Sequence, residues 1–133
     1  MHLPSRFLPA LAVVASLGAC PAEAMDINAF RKANGLKPLR QHAALTALAK
    51  AHATDMARRQ VMDHAGFYET RAKRGAVAEN VAYGSATMSA AMEQWINSSA
   101  HRANMLRPDF TRYGLASAVS ASGTQFWALE LGK

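Results

Sequence analysis

Apolar side chains recur at three- and four-residue steps between residues 43 and 62. The stripe is Leu45, Leu48, Ala49, His52, Met56 and Ala57. This spacing places the stripe on one face and predicts a long amphipathic helix over residues 43–62. His52 lies on or beside the apolar face. A lone histidine there is more often a core residue with one satisfied hydrogen bond than a ligand, so we leave His52 out of the predicted site.

Three shorter helical segments are also predicted. Asp26 can cap a helix over residues 26–34, and Gly35 follows as a stop. Thr87 can cap a second solid helix, and residues 99–106 form a further helical turn. The inward stripe of the second helix is Met88, Ala91, Met92 and Trp95.

The remaining segments have an extended pattern. Residues 76–83 are partly β-branched and end at a glycine, and they predict a strand after a loop and short charged helix over residues 63–75. Residues 113–120 and 125–131 predict a hairpin. Alternation in its last strand puts Phe126, Ala128 and Glu130 on one face and Trp127, Leu129 and Leu131 on the other. Helices, a strand, a helix and a hairpin predict an α+β layered domain.

The N-terminal segment has the pattern of a secretory signal. A short basic start precedes an apolar run over residues 7–19, which is too short to span a bilayer. The A-x-A sequence at residues 22–24 would leave Met25 as the new N-terminus. Residues 17–20 instead resemble a lipobox ending at Cys20. We therefore predict a signal peptide over residues 1–24 and one domain over residues 25–133. The sequence does not decide which of the two cleavage sites is used.

Composition narrows the function classes. Cys20 is the only cysteine, so the predicted domain forms no internal disulfide and depends on its hydrophobic core. The formal net charge is +6, but the basic residues are scattered, with small clusters only at residues 58–59 and 71–74, and no stacking aromatics interleave them. We expect these basic residues to lie on a solvated surface. No nucleic-acid partner is expected. The sequence also has no G-x-S-x-G elbow, Walker loop or H-E-x-x-H helix. It therefore lacks the signatures of the common serine hydrolases, nucleotide-binding proteins and zinc proteases, and these classes are excluded.

Three residues stand out as candidates for acid–base or ligand chemistry. His64 follows the long helix, and His101 follows the second helix. Glu79 lies in an apolar stretch, where a carboxylate must be paired or face solvent because an unpaired buried charge is costly. Spacing alone does not bring the three together. On residue types alone, three unrelated surface groups are the favoured interpretation.

A series of short motifs changes that judgement because of their order along the chain. They are N-G-L-K-P-L at 34–39, A-H-A-T-D-M-A at 51–57, D-H at 63–64, A-E-N-V-A-Y-G at 78–84, W-I-N-S-S-A-H-R-A-N-M-L at 95–106 and Y-G-L-A at 113–116. The series resembles the CAP superfamily of cysteine-rich secretory proteins, venom antigens and pathogenesis-related proteins. It is most similar to the bacterial, SCP-like branch, and the resemblance runs over residues 27–131.

The resemblance implies a fold and a site. The fold is an α-β-α sandwich with a central antiparallel sheet flanked by helices. The family's cavity holds two histidines and two acids, which bind a divalent metal such as zinc in some members. His64, Glu79 and His101 match three of these positions and are the implied zinc ligands. Ser98 stands where the second acid belongs, which weakens the transfer of metal binding or catalysis to this candidate cleft.

Three functions follow from the resemblance. The first is a binding module of the cell envelope, which holds a lipid or an envelope polymer in the His/Glu cleft. The second is a divalent-metal-dependent hydrolase that uses the same cleft. The third is a structural envelope protein with an unused cleft. We expect a monomer exported to the periplasm or outside the cell, attached to a membrane only through a lipid on Cys20. Loss of the second acid favours binding over catalysis.

Overall fold

A computed structural model describes residues 25–133 of the protein. The predicted signal peptide, with its two processing sites, lies outside the described residues. The helices are α1 (Ile27–Ala33), α2 (Ala43–Arg59), α3 (Met88–Ile96) and α4 (Ser99–Met105). The strands are β1 (Arg40–Gln41), β2 (Ala78–Tyr83), β3 (Arg112–Val119) and β4 (Gln125–Gly132). A π-helical turn at Phe67–Arg71 and a 3-10 turn at Ala72–Arg74 connect α2 to β2.

Side-chain caps fix the starts of α1 and α3. The Asp26 carboxylate accepts a hydrogen bond from the amide of Ala29 at 2.7 Å. The Thr87 hydroxyl accepts one from the amide of Ala90 at 3.2 Å. Each contact satisfies an amide that the helix itself leaves without an acceptor. Both predicted caps are confirmed.

The long helix is shorter than predicted. The apolar pattern predicts residues 43–62, but α2 ends at Arg59 because Gln60 adopts a left-handed conformation with φ of 54°. The amide of Val61 then returns to the carbonyl of Met56 at 3.1 Å, which closes the last turn. The chain therefore leaves the helix early and runs back toward the sheet, carrying His64 with it.

The four strands form one sheet in the order β1-β3-β4-β2. The predicted strand β2 and the β3–β4 hairpin are confirmed, and both pairings are antiparallel. β1 was not predicted because its two residues are too few to show an alternating pattern. β1 also pairs in parallel with β3, so the sheet is antiparallel except at this edge.

Helices cover both faces of the sheet. Trp127, Leu129 and Leu131 of β4 pack in a core with residues of α1, α3 and α4, including Trp95. Phe126 and Ala128 point the other way and pack against α2. The predicted α-β-α sandwich is therefore confirmed, and Glu130 lies on the α2 side. None of the helices within residues 25–133 has the length and apolar character needed to cross a bilayer.

Gly114 sets the distance between α2 and the sheet. A Cβ atom at this position of β3 would lie 2.1 Å from the backbone carbon of Leu45 and 2.1 Å from the amide nitrogen of Thr46. Only glycine permits such a close approach of helix and strand. The contact holds α2, and hence the segment that follows it, over the α2 face of the sheet.

Candidate functional site

His64 and Glu79 are in direct contact. His64 lies in the segment after α2, and its Nδ1 is 2.7 Å from Oε1 of Glu79 in β2. The Glu79 side chain is 2% exposed, whereas that of His64 is 54% exposed. Because a carboxylate only accepts hydrogen bonds, Nδ1 carries the proton and donates it. The other ring nitrogen, Nε2, is left for a hydrogen bond to a ligand.

Arg71 binds both Glu79 and the segment that carries His64. Its Nε donates to Oε2 of Glu79, and its Nη2 donates to Oε1 at 3.0 Å. Its Nη1 donates to the carbonyl of Ala65 at 2.9 Å, and Nη2 reaches the carbonyl of His64 at 3.3 Å. The sequence interpretation placed Arg71 in a small basic cluster on a solvated surface, and that was wrong. The available indication was an arginine a short distance before a carboxylate in an apolar strand.

Glu130 supplies a second carboxyl group at the site. It lies directly opposite Glu79 in the β2–β4 register and is fully buried. Among the described residues neither of its oxygens accepts a hydrogen bond, although Nε of Arg71 is 3.2 Å from Oε1. Burial, together with the hydrogen bond and charge of Glu79, raises the pKa of Glu130 to about 10. Glu130 is therefore protonated at neutral pH, and its O–H donates to the Glu79 carboxylate.

Glu79 is the ionised member of the carboxyl pair. Burial acts to raise its pKa. Hydrogen bonds from Glu130, Arg71 and His64 act in the opposite direction and leave the pKa below its ordinary value. The Arg71 guanidinium balances this one negative charge inside the protein.

The second carboxyl group of this cluster thus comes from a different position than the family resemblance implies, and it lies beneath the cavity, outside the lining described below. The expected position is Ser98, which precedes α4 and whose hydroxyl makes no capping hydrogen bond. Sequence reasoning placed Glu130 on one face of the last strand but gave it no role. A carboxyl residue between Leu129 and Leu131 in a buried strand was the indication that could have found it.

His52 is a buried neighbour of the site. Its Nε2 is 2.8 Å from the carbonyl oxygen of Asp63 and 3.7 Å from Oε1 of Glu79. Burial lowers the pKa of His52, so the neutral ring donates to the Asp63 carbonyl. This is the single satisfied hydrogen bond expected of a core histidine, and the side chain is only 2% exposed.

His101 lies near His64 but is not bonded to it. It belongs to α4, and its carbonyl accepts a hydrogen bond from Nδ2 of Asn80 at 3.0 Å. Partial burial, followed by the charge of His64, lowers the pKa of His101. The structure therefore pairs His64 with Glu79 and places His101 in their vicinity. Neither His101 nor Ser98 belongs to the lining of the cavity described next.

A cavity of about 390 Å³ opens beside His64. Its lining residues are His64, Phe67, Tyr68, Val77, Ala78, Glu79 and Asn104. Asn104 follows His101 by one helical turn and donates to Oδ1 of Asn80 at 3.0 Å. A more open hollow of about 560 Å³ lies at the start of α2, but Lys50 is the one titratable side chain in its lining. The cavity beside His64 is therefore the candidate site.

The arrangement does not fit the zinc site that the resemblance implies. Within residues 25–133, no group of three or more His, Cys, Asp or Glu side chains is placed to hold a metal ion. Both oxygens of Glu79 already accept hydrogen bonds from Arg71 and His64. A divalent cation at Glu79 would also lie against the guanidinium, and like charges repel strongly away from water.

Comparison with known protein families shows which proteins this chain is similar to. The family model described as CAP, cysteine-rich secretory protein family, matches residues 26–131. An uncharacterised Bacillus subtilis protein, YkwD, is 33% identical over 104 residues, which cover 71% of this chain and 40% of that protein. The chain thus spans less than half the length of this curated relative.

Solved structures of similar fold come from other bacteria. An extracellular protein with an SCP domain from Bacillus anthracis has a TM-score of 0.60 and 26% identity, covering 80% of this chain and 37% of that one. An outer surface protein from Borrelia burgdorferi has a TM-score of 0.67 and 19% identity, covering 80% of this chain and 86% of that one. At that identity the second comparison supports the fold alone.

Proposed function

This chain belongs to the CAP family of cysteine-rich secretory proteins, and we propose that it is an exported envelope protein whose cavity beside His64 binds a lipid. The observation that carries the proposal is the division of the cavity into an apolar wall and a polar end. A ligand with an acyl chain and a polar head would match both parts.

The wall exposes apolar surface that a ligand would cover. Tyr68 is 77% exposed and Val77 is 42% exposed, and Phe67 lies beside them in the cavity lining. Removing such surface from water favours binding by about 25 cal/mol per Å². The volume of about 390 Å³ lies within the range of about 300–1,000 Å³ that is usual for small-molecule sites.

The polar end offers directional contacts to a head group. The His64 ring presents Nε2 for a hydrogen bond to a ligand, and the side chain of Asn104 also lines the cavity. Glu79 is held by Arg71, His64 and Glu130, so its charge is balanced before any ligand enters. A ligand therefore needs no charge of its own to occupy this end.

The same geometry favours binding over the metal-dependent hydrolase. Hydrolysis by a bound metal needs ligands arranged around it with an open position, and His64, Glu79 and His101 do not form such a set. Among the cavity-lining residues there is also no serine, threonine or cysteine to act as a nucleophile. The polar groups present are suited to orienting a ligand.

Export is supported from two directions. The N-terminal sequence has a secretory pattern with Cys20 at a lipobox position, and the Bacillus anthracis relative at 26% identity is described as extracellular. We propose that this chain is exported in the same way and is attached to a membrane through Cys20. A protein attached in this way would have membrane lipids available as ligands.

A fluorescent fatty acid titrated into the purified full chain tests the proposed function. Val77→Ser should weaken binding about tenfold, because it removes apolar surface from the wall worth about 1–2 kcal/mol. Val119→Ser is the matched control, since Val119 is a similarly exposed valine on β3 outside the cavity. Equal weakening by both variants would contradict the site. Binding of peptidoglycan fragments without the fatty acid would identify a wall polymer as the ligand.

A further inference from the structure

We propose that the Arg71 guanidinium is the resident cation of this site, and that it positions His64 without a metal ion. The inference deepens the proposed function and rests on it for the use of the cavity as a binding site. Arg71 is not in the cavity lining itself. It is a positioning residue that acts through His64, Glu79 and Phe67.

Arg71 joins the segment that follows α2 to strand β2. On one side the guanidinium bonds both oxygens of Glu79 in β2. On the other side it donates to the backbone carbonyls of His64 and Ala65. The planar fork of an arginine can make these contacts together, whereas an ammonium group offers a single point. The backbone of His64 is therefore fixed relative to the carboxylate that its ring contacts.

The same group also supports the apolar wall. The guanidinium carbon of Arg71 lies 5.7 Å from the ring centroid of Phe67, which lines the cavity. A cation over an aromatic ring is attractive at this distance. Arg71 thus contacts the residues behind both the polar end and the wall.

The position of the guanidinium opposes a metal ion at Glu79. Arg71 is 5% exposed, so it cannot move into solvent without opening the structure around it. Its Nε lies within contact distance of both Glu79 and Glu130. A divalent ion would have to displace it from the one ionised carboxylate of the cluster. In this chain the arginine supplies the positive charge that a metal would otherwise bring to the carboxylate.

Zinc titration of the wild-type protein and of His64→Ala is the first test, and both proteins keep Arg71 and the buried carboxyl pair; His64 is 54% exposed, so the variant leaves the core intact. We expect zinc to bind the wild-type chain no more tightly than it binds His64→Ala, because any remaining affinity comes from other histidines. A wild-type affinity that falls in His64→Ala would place a metal at the site and overturn the proposal. Neither outcome depends on a lipid.

The second test replaces the cation. Arg71→Gln should increase zinc affinity about tenfold, because it removes the repelling charge. It should also speed amide hydrogen exchange at residues 65–67 about tenfold and shift the ring ¹⁵N signals of His64 away from the tautomer protonated at Nδ1. Arg74→Gln is the control, since Arg74 is exposed in the same basic cluster. Wild-type values in Arg71→Gln for exchange and tautomer would overturn the positioning role.

Arg71→Lys decides the outcome if Arg71→Gln does not fold. The ammonium keeps the charge, so zinc should stay excluded, but it cannot bond Glu79 and both carbonyls together. Exchange at residues 65–67 should rise while the domain stays folded. Unchanged exchange would show that the fork is not needed. If the fatty acid fails to bind but these results hold, the proposed lipid is wrong and the role of Arg71 stands.

Discussion

Glu79 and Glu130 lie directly opposite each other on β2 and β4, and only one of them carries a charge at neutral pH. Two carboxylates at such a position repel, so one keeps its proton. Arg71 contacts both, and it stabilises the charge on Glu79, whose oxygens it bonds. The pair therefore shares one proton and one countercharge in the interior beneath His64.

Glu130→Gln should remove a pH dependence from stability. Glu130 keeps its proton in the folded protein up to a pKa of about 10, whereas the unfolded chain releases it above the ordinary value. The folded state then binds more protons, so stability is full in acid and falls as the pH rises toward the folded pKa. Glutamine carries an N–H donor in place of the O–H. The variant should match the wild type near pH 4 and exceed it at pH 8, with a gap that grows by up to about 1.4 kcal/mol per pH unit.

Urea unfolding at several pH values measures this gap. Glu93→Gln is the control, because Glu93 is an exposed glutamate on α3, and it should run parallel to the wild type. His52 and His101 also titrate, but they are common to all three proteins and cancel in the difference. Parallel curves for Glu130→Gln and the wild type would show that Glu130 is ionised in the folded state.

Gly114→Ala should destabilise the domain by about 3 kcal/mol or more, at the upper end for an overpacked core position. The new Cβ would overlap the backbone of Leu45 and Thr46, which cannot rotate away. Thermal unfolding measures the loss. Val119→Ala, at an exposed position of the same strand, should stay within about 0.5 kcal/mol of the wild type. An alanine tolerated at Gly114 would mean that α2 can shift on the sheet.

Trp95→Ala should cost about 3–5 kcal/mol, the usual range for removing a large buried aromatic side chain. Trp95 is 1% exposed, and its indole N–H donates to the carbonyl of Val81 at 2.9 Å. The variant leaves both a cavity and an unpaired carbonyl. Tyr68→Ala, which truncates a largely exposed aromatic residue, should leave the unfolding midpoint nearly unchanged. Similar losses in the two variants would place Trp95 outside the folding core.

The mature N-terminus should begin at or after Cys20. If the lipobox is used, the intact mass of the native protein will show a lipid-sized addition on Cys20. An unmodified chain that begins at Met25 would rule out the lipid anchor and retain export. A chain that still carries Met1 would contradict both. Cys20→Ala should release the protein from the membrane fraction only if Cys20 carries a lipid.

The sequence by itself determined the main helices and three strands, because their patterns rest on contacts within a few residues. The caps at Asp26 and Thr87 are examples. The sequence patterns did not predict the two-residue strand β1 or the left-handed conformation of Gln60. A pairing partner from β3 defines β1, and a conformation rare for glutamine ends α2.

The candidate site divides in the same way. The order of the motifs, through the family resemblance, implied that His64, Glu79 and His101 share one cavity. The apolar surroundings of Glu79 indicated that it is either paired or facing solvent. Only the tertiary structure decided that Arg71 is the partner of Glu79 and that Glu130 places a second, buried carboxyl group opposite Glu79. Alternation along β4 tells which face Glu130 occupies, but the residue opposite it depends on the pairing of β2 with β4. That pairing is fixed by how the two helical layers pack against the sheet, which no local pattern records.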